Sequence, residues 1–236
     1  MENKKVVVVT GGSSGLGLAI SNKLKDMGMH VIIFDIQSPP NDFEFYHVDI
    51  RDDIQIKSAL SNIHQLDILV NNAGIYFEKY LEDTTNEEID RMVDINIKGT
   101  YLVTRNAFAK IKDAKGSIVM IASCLGLVPE LTSPLYCTTK AGLIMLTKCL
   151  AQQYADYGIR VNCVLPGPIN TPLLQKSFMD EETAVRCANR IPLKRIGEPE
   201  DVANMVAFLI SENAGYITGG AFPVDGGVAS SSIYSK

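Results

Sequence analysis

Tyr136 and Lys140 stand four residues apart in the run Tyr136-Cys137-Thr138-Thr139-Lys140. On a helix that spacing puts both side chains on one face. A tyrosine phenol titrates near pH 10 and is a poor base at neutral pH. An ammonium beside it, with the positive charge of an oxidised nicotinamide, stabilises the phenolate and lowers that value. Such a tyrosine can exchange a proton with a substrate oxygen while a hydride moves to or from nicotinamide. Ser123, thirteen residues earlier, ends an apolar run, and its hydroxyl could hold the same oxygen. Taken alone, Tyr-x-x-x-Lys is common by chance, and its plain alternative is a surface pair on an amphipathic helix.

A second constellation lies near the start of the chain. Thr10-Gly11-Gly12-Ser13-Ser14-Gly15-Leu16-Gly17 follows a strand-like run and precedes a helical one. Glycines there let the backbone turn sharply and approach a pyrophosphate, and the helix N-terminus supplies free N–H groups. Asp35 follows Gly17 by eighteen residues, at the end of the next strand-like run, where a ribose hydroxyl would be read. A carboxylate there repels the 2′-phosphate of NADP. No Arg follows it (Ile36, Gln37), and Ser13 and Ser14 occupy the loop positions that a cation could take. The expected cofactor is NAD(H). The alternative is a plain tight turn with a solvated aspartate.

The elements that must position these groups alternate along the chain. Val6–Thr10, His30–Asp35, Phe43–Val48, Asp67–Val70, Gly116–Ala122, Ile159–Leu165 and Ala221–Val224 read as short strands, several of them apolar on both faces. Helices are predicted from Gly15 to Met27, stopped by Gly28, and from Pro134 to Tyr157, with Ser133 as N-cap and Gly158 as stop. Thr85 with Glu88 suggests a capping box opening another. Alternating strands and helices with buried strands imply an α/β fold with a parallel sheet covered on both faces.

Composition fits this class. The 236 residues are 46% hydrophobic and 21% charged, enough for a full core without disulfides or metals. The net charge of −5 argues against a nucleic-acid backbone as partner. No run reaches the roughly 18 apolar residues of a membrane span. Val6–Val9 is too short for a signal peptide, so a cytoplasmic location is expected. The five cysteines include no Cys-x-x-Cys pair and the three histidines stand apart, so no metal site is expected. No Pro-, Gly- or Ser-rich linker divides the chain, and one domain over residues 1–236 is expected.

Together these motifs resemble the short-chain dehydrogenase/reductase (SDR) family over essentially the whole chain. The matching residues are TGGSSGLG at 10–17, NNAG at 71–74, Asn96, the Ser123/Tyr136/Lys140 set and Pro166-Gly167. The resemblance implies a doubly wound Rossmann fold with about seven parallel strands. It implies Tyr136 as acid/base, Lys140 as the group that lowers its pKa and binds the nicotinamide ribose, and Ser123 as the group that orients the reacting oxygen. Asn96 would hold a water linking Lys140 to solvent. Gly11, Ser14, Gly15, Leu16 and Gly17 would bind the pyrophosphate, and Asp49 with Ile50 would contact adenine. Asn72, Ala73 and Gly74 would line the cofactor, and Pro166, Gly167, Ile169 and Thr171 would meet the carboxamide. Plainer roles stay open for Asn96 (backbone satisfaction), Asp49 (a strand-end or helix-cap residue) and Thr171 (a turn hydroxyl).

The resemblance also implies a substrate lid over about 170–197 and a homotetramer built through helices around Thr100–Asp113 and Pro134–Tyr157 and the C-terminal strand. Leu143, Leu146 and Leu150 could serve that interface or the core. Apolar pocket candidates are Leu173, Leu174, Phe178, Met179, Val185 and Ile191 in the lid, with Tyr76, Leu125, Leu127, Val128 and Leu131 outside it. The expected reaction interconverts a small-molecule secondary alcohol and a ketone with NAD(H). The alternatives are an NADPH-using 3-oxoacyl thioester reductase and a non-catalytic NAD-binding regulator. Cys124 and Cys137 flank the catalytic residues as small filler or as a redox switch. The chain departs from the family between Asp35 and Asp49, where thirteen residues including Pro39-Pro40 leave no room for the usual helix. A more open adenine pocket is expected there.

Overall fold

The computed structural model describes residues 4–175 and 181–230. Seven strands form one parallel sheet: β1 (Val6–Thr10), β2 (His30–Asp35), β3 (Glu44–His47), β4 (Ile68–Asn71), β5 (Ser117–Ile121), β6 (Arg160–Pro166) and β7 (Ala221–Val224). Their order is β3-β2-β1-β4-β5-β6-β7, so the winding reverses between β1 and β4. Loops at the strand ends diverge at that reversal and leave a crevice for a ligand.

The two faces sort by the pleat of each strand. Val8, Ile32 and Leu69 point to a core shared with α2 (Asp53–Ser61), α4 (Thr100–Ala114) and α5 (Pro134–Tyr154). Val7, Val9 and Ile33 point to the opposite core, against α1 (Gly15–Asp26) and α8 (Pro199–Ile210). The unbroken apolar runs in the sequence are thus strands with helices on both sides. Leu143 and Leu150 of α5 lie in the first core with Leu146 packed against it, so this stripe faces the sheet.

Most predicted boundaries move by a residue or two. β4 begins at Ile68; Asp67 just before it bridges to β1 twice, donating its N–H to the Val6 carbonyl at 2.9 Å and accepting the Val6 N–H on Oδ2 at 2.7 Å. α5 ends at Tyr154, a 3-10 turn carries on to Tyr157, and Gly158 (φ 73°) stops it. Ser133 precedes α5 but caps nothing with its side chain, contrary to expectation. The Thr85–Glu88 capping box forms at the start of α3 (Asn86–Val93). α3 continues through a π-helical turn, Asp94–Gly99, into α4.

Residues 36–43 contain no helix, as the two prolines dictate. Local contacts replace it: Lys25 lies 4.6 Å from the centroid of the Phe43 ring, and Asn41 Nδ2 donates to Asn22 Oδ1 at 3.1 Å. Beyond β6, Asn170 N–H donates to the Gly197 carbonyl (2.8 Å) and Gly197 N–H to the Pro168 carbonyl (3.0 Å). These bonds pin the two ends of the 170–197 segment together. Within it lie α6 (Pro172–Gln175) and α7 (Glu181–Arg190). Phe178 and Met179 lie outside the described residues.

Candidate active site

The glycine loop leaves the C-terminal end of β1 and enters α1. Gly11 (φ 65°) and Gly15 (φ 49°) adopt left-handed backbone that side chains resist. At Gly17 a Cβ would lie 2.1 Å from the Gly11 carbonyl oxygen, so only glycine closes this turn. Asn72 braces the loop from β4. Its Nδ2 donates to the carbonyls of Thr10 (3.1 Å) and Gly11 (2.9 Å). The N–H groups of Asn72 and Ala73 donate to Thr10 Oγ1 at 3.0 and 3.1 Å.

Asp35 ends β2 beside this loop. Its Oδ2 accepts from the Ser13 N–H at 3.0 Å and its Oδ1 from the Gln37 N–H at 3.1 Å. The carboxylate therefore holds the loop as well as facing the cleft. Asp49 is not a cap, which rules out one of its plainer roles. Arg51 Nε donates to both of its oxygens at 3.0 Å, and Arg51 Nη2 to Oδ2 at 2.5 Å. That hydrogen bonding holds the Asp49 carboxyl below its ordinary value against the opposing effect of burial. Arg51 also faces the cleft and escaped the sequence analysis, because one arginine after an acid carries no periodic signal.

The Ser123/Tyr136/Lys140 set assembles as the spacing implied. Ser123 follows β5, and its Oγ accepts from the Leu125 N–H at 3.2 Å and is hydrogen-bonded to Tyr136. Tyr136 and Lys140 lie one turn apart on α5, with Lys140 Nζ 5.5 Å from the Tyr136 ring centroid. Lys140 is 4% exposed and donates to the Ile121 carbonyl at 3.0 Å. Burial pushes its ammonium down to about 8. Burial pushes the Tyr136 phenol above its ordinary value, and the Ser123 hydrogen bond pulls it back only in part. Desolvation is the largest influence at Tyr136, and the group that lowers its value is Ser123 and not, as expected, Lys140.

Asn96 is fully buried in the π-helical turn. Its Oδ1 accepts from the Ile75 N–H (2.8 Å), and its Nδ2 donates to the Ile75 carbonyl (3.0 Å) and to Thr139 Oγ1 (3.2 Å). Backbone satisfaction is thus one of its roles. A Cβ on Gly74 would come within 3.2 Å of Asn96 Oδ1 and 3.5 Å of Lys140 Nζ. The amide and the ammonium converge on the bare backbone of that glycine.

All these features except Asn96 line one cleft of about 1270 Å³. It runs from Asp35 and Asp49 past the glycine loop and Gly74 to Ser123, Tyr136 and Lys140, and on to Pro166, Gly167, Ile169 and Thr171. Thr171 shapes the α6 turn: its Oγ1 donates to the Ile169 carbonyl and accepts from the Leu174 N–H, both at 3.3 Å. Of the apolar pocket candidates, Tyr76, Leu125, Val128, Leu174 and Ile191 face the cleft. Leu127, Leu131 and Val185 do not; they are exposed on short turns or on the outer side of α7. Nothing is described of the Leu173 side chain. Sequence reasoning missed the polar lining, which includes Glu78 and Glu130 and, from α7, Arg186 and Arg190.

The residues fit a dinucleotide. The loop keeps bare backbone where a Cβ at Gly11 or Gly17 would not fit, the Asp35 carboxylate lines the same cleft beside it, and Ser123, Tyr136 and Lys140 line its far part. Among the described residues no group of three or more His, Cys, Asp or Glu is arranged to hold a metal, and no helix is long and apolar enough to cross a membrane.

A family model described as enoyl-(acyl carrier protein) reductase matches residues 11–229. The 3-oxoacyl-[acyl-carrier-protein] reductase FabG of Thermotoga maritima is 35% identical, over 95% of this chain and 97% of that protein. The ligand-free aldohexose dehydrogenase of Thermoplasma acidophilum superposes with a TM-score of 0.95 at 33% identity, covering 99% of this chain and 97% of that one. The 3-ketoacyl-(acyl-carrier-protein) reductase of Brucella melitensis, solved with NADH, superposes with a TM-score of 0.87 at 32% identity, covering 95% and 98%.

Proposed function

The chain belongs to the short-chain dehydrogenase/reductase family, and from that premise we propose an NAD(H)-dependent oxidoreductase that interconverts a secondary alcohol and a ketone. The observation that carries this reading is the placement of Ser123, Tyr136 and Lys140 in one cleft with the glycine loop and Asp35. A binder without catalysis has no use for a half-buried phenol at the cleft, hydrogen-bonded to a serine and beside a buried ammonium.

When bound, NAD(H) supplies the hydride acceptor or donor. The chain's own residues do the rest. Gly11, Gly15 and Gly17 let the loop and the α1 N–H groups approach the pyrophosphate, with Ser14 and Leu16 beside it. Asp35 accepts from the adenosine ribose, and Asp49 and Ile50 flank the adenine. Asn72, Ala73 and Gly74 form the floor, and Pro166, Gly167, Ile169 and Thr171 meet the carboxamide. Ser123 holds the substrate oxygen, and Tyr136 Oη takes the alcohol proton during oxidation or returns it during reduction. Lys140 would donate to the nicotinamide ribose and relay that proton outward through a water held by Asn96. The paired 170–197 segment covers the substrate as part of a single domain over residues 1–236.

Asp35 supports NAD(H) over NADP(H), because its carboxylate stands where a 2′-phosphate would come. A second reading, a 3-oxoacyl thioester reductase, draws on the curated relative of that name and on Arg186 and Arg190 at the cleft, which suit an anionic carrier. The proposal places the enzyme in the cytoplasm as a homotetramer, on family resemblance. An absorbance assay of nicotinamide turnover tests the main reading. It uses NAD(H) and NADP(H) with sugars, polyols, hydroxysteroids and 3-oxoacyl thioesters. Turnover of an alcohol or ketone with NAD(H) is expected; turnover confined to thioesters with NADPH would favour the second reading.

A further inference from the structure

Tyr76 touches the catalytic helix twice. Its ring packs edge-to-face on Tyr136, with centroids 4.8 Å apart and planes at 76°. Its hydroxyl accepts from Ser133 Oγ at 3.3 Å and donates to Glu78 Oε1 at 2.8 Å. Ser133 is 2% exposed and occupies the N-cap position of α5, yet it makes no cap bond. A serine there ordinarily caps the helix; this one is spent on Tyr76. The backbone beneath Tyr76 is fixed as well, because Asn96 grips both the N–H and the carbonyl of Ile75 and reaches Thr139 on α5. We infer that Tyr76 is a positioning residue that sets the ring of Tyr136: ring against ring on one side, hydroxyl pinned to the root of the same helix on the other. An edge-to-face pair has a preferred geometry, and proton transfer is sensitive to misplacement by about an ångström.

The inference rests on Tyr136 as the acid/base, so the test separates the two. Tyr76→Ala, Tyr76→Phe, Ser133→Ala and Tyr136→Phe are compared for kcat, KM and NAD(H) affinity. The phenolate of Tyr136 is titrated with NAD bound, by absorbance difference against Tyr136→Phe; that titration needs no substrate. Tyr76→Ala is expected to lower kcat about 10- to 100-fold on every substrate, with NAD(H) affinity unchanged. It should also move the phenolate titration to lower pH, since water replaces the apolar ring. Tyr76→Phe should keep the titration of the wild type and lose only a few-fold in kcat, and Ser133→Ala should match it. An unmoved titration in Tyr76→Ala overturns the inference, as does a kcat within twofold of wild type or a loss confined to KM. If Tyr136→Phe also retains turnover, the assignment of Tyr136 falls with it; if Tyr136→Phe is inactive, only the role of Tyr76 falls.

Discussion

The side-chain amide of Asn96 closes two hydrogen bonds on one residue, accepting from the Ile75 N–H at 2.8 Å and donating to the Ile75 carbonyl at 3.0 Å. It thereby fastens the strand-end segment that carries Gly74 and Tyr76 to the π-helical turn before α4. Asn96→Ala leaves both backbone groups without that partner, and an unmade buried hydrogen bond costs about 1–3 kcal/mol. Denaturant unfolding should show a loss of about 2–4 kcal/mol on the same scale. A loss below about 0.5 kcal/mol, the size of an ordinary surface substitution, would contradict this role.

Asp35 has two duties, and its removal should reveal both. It holds the N–H groups of Ser13 and Gln37, and in the proposed function it reads the adenosine ribose. Asp35→Ala should weaken NAD(H) binding by about tenfold, or about 1.4 kcal/mol, and narrow the discrimination against NADP(H). Titration of both cofactors by fluorescence checks this. Equal or better catalytic efficiency of the wild type with NADPH would contradict the cofactor assignment.

Lys140 makes stability depend on pH in a stated direction. Its ammonium titrates at about 8 when folded, against 10.5 ordinarily, because burial penalises the charge. The unfolded chain therefore binds more protons between those values, and stability rises with pH across that window. The penalty is fully present below pH 8. Lys140→Met removes it, together with the bond to the Ile121 carbonyl. The stability of this variant relative to wild type should be greatest near pH 7 and decline toward pH 10.5, by up to about 3 kcal/mol at 1.36 kcal/mol per unit. Melting curves across that range read it; a difference independent of pH would contradict the buried, depressed ammonium.

Cys124 adjoins Ser123, but burial pushes its thiol up to about 11, so the reactive thiolate is scarce at neutral pH. Iodoacetamide at pH 7.5 should label the exposed Cys149 first and leave activity unchanged. Inactivation that tracks labelling of Cys124 would restore the redox-switch reading.

The strands and most of the site were legible for separate physical reasons. A strand buried on both faces is apolar along nearly all its length, so Val6–Val9 and Ile118–Ile121 announce themselves. The glycine turn at residues 11–17 is legible because no other residue fits beside the Gly11 carbonyl. Tyr136 and Lys140 are legible because a helical turn fixes their separation. Contacts between distant residues were not. Ser133 looked like a cap because its position is right, and only the fold brings Tyr76 to compete for its hydroxyl. The pairing of Arg51 with Asp49 and the exposure of Leu127 and Leu131 likewise depend on how loops lie, for which local spacing carries no signal.

The most direct test of the account is Tyr136→Phe, which deletes one hydroxyl from the centre of the cleft and leaves the ring against Tyr76. With a substrate found by the absorbance assay, the account expects kcat to fall by at least about 100-fold, in line with the 10²–10⁴ contribution of general acid–base catalysis. NAD(H) affinity and the melting temperature should stay near those of the wild type. Turnover within a few-fold of the wild type in a folded, cofactor-binding Tyr136→Phe protein would contradict it.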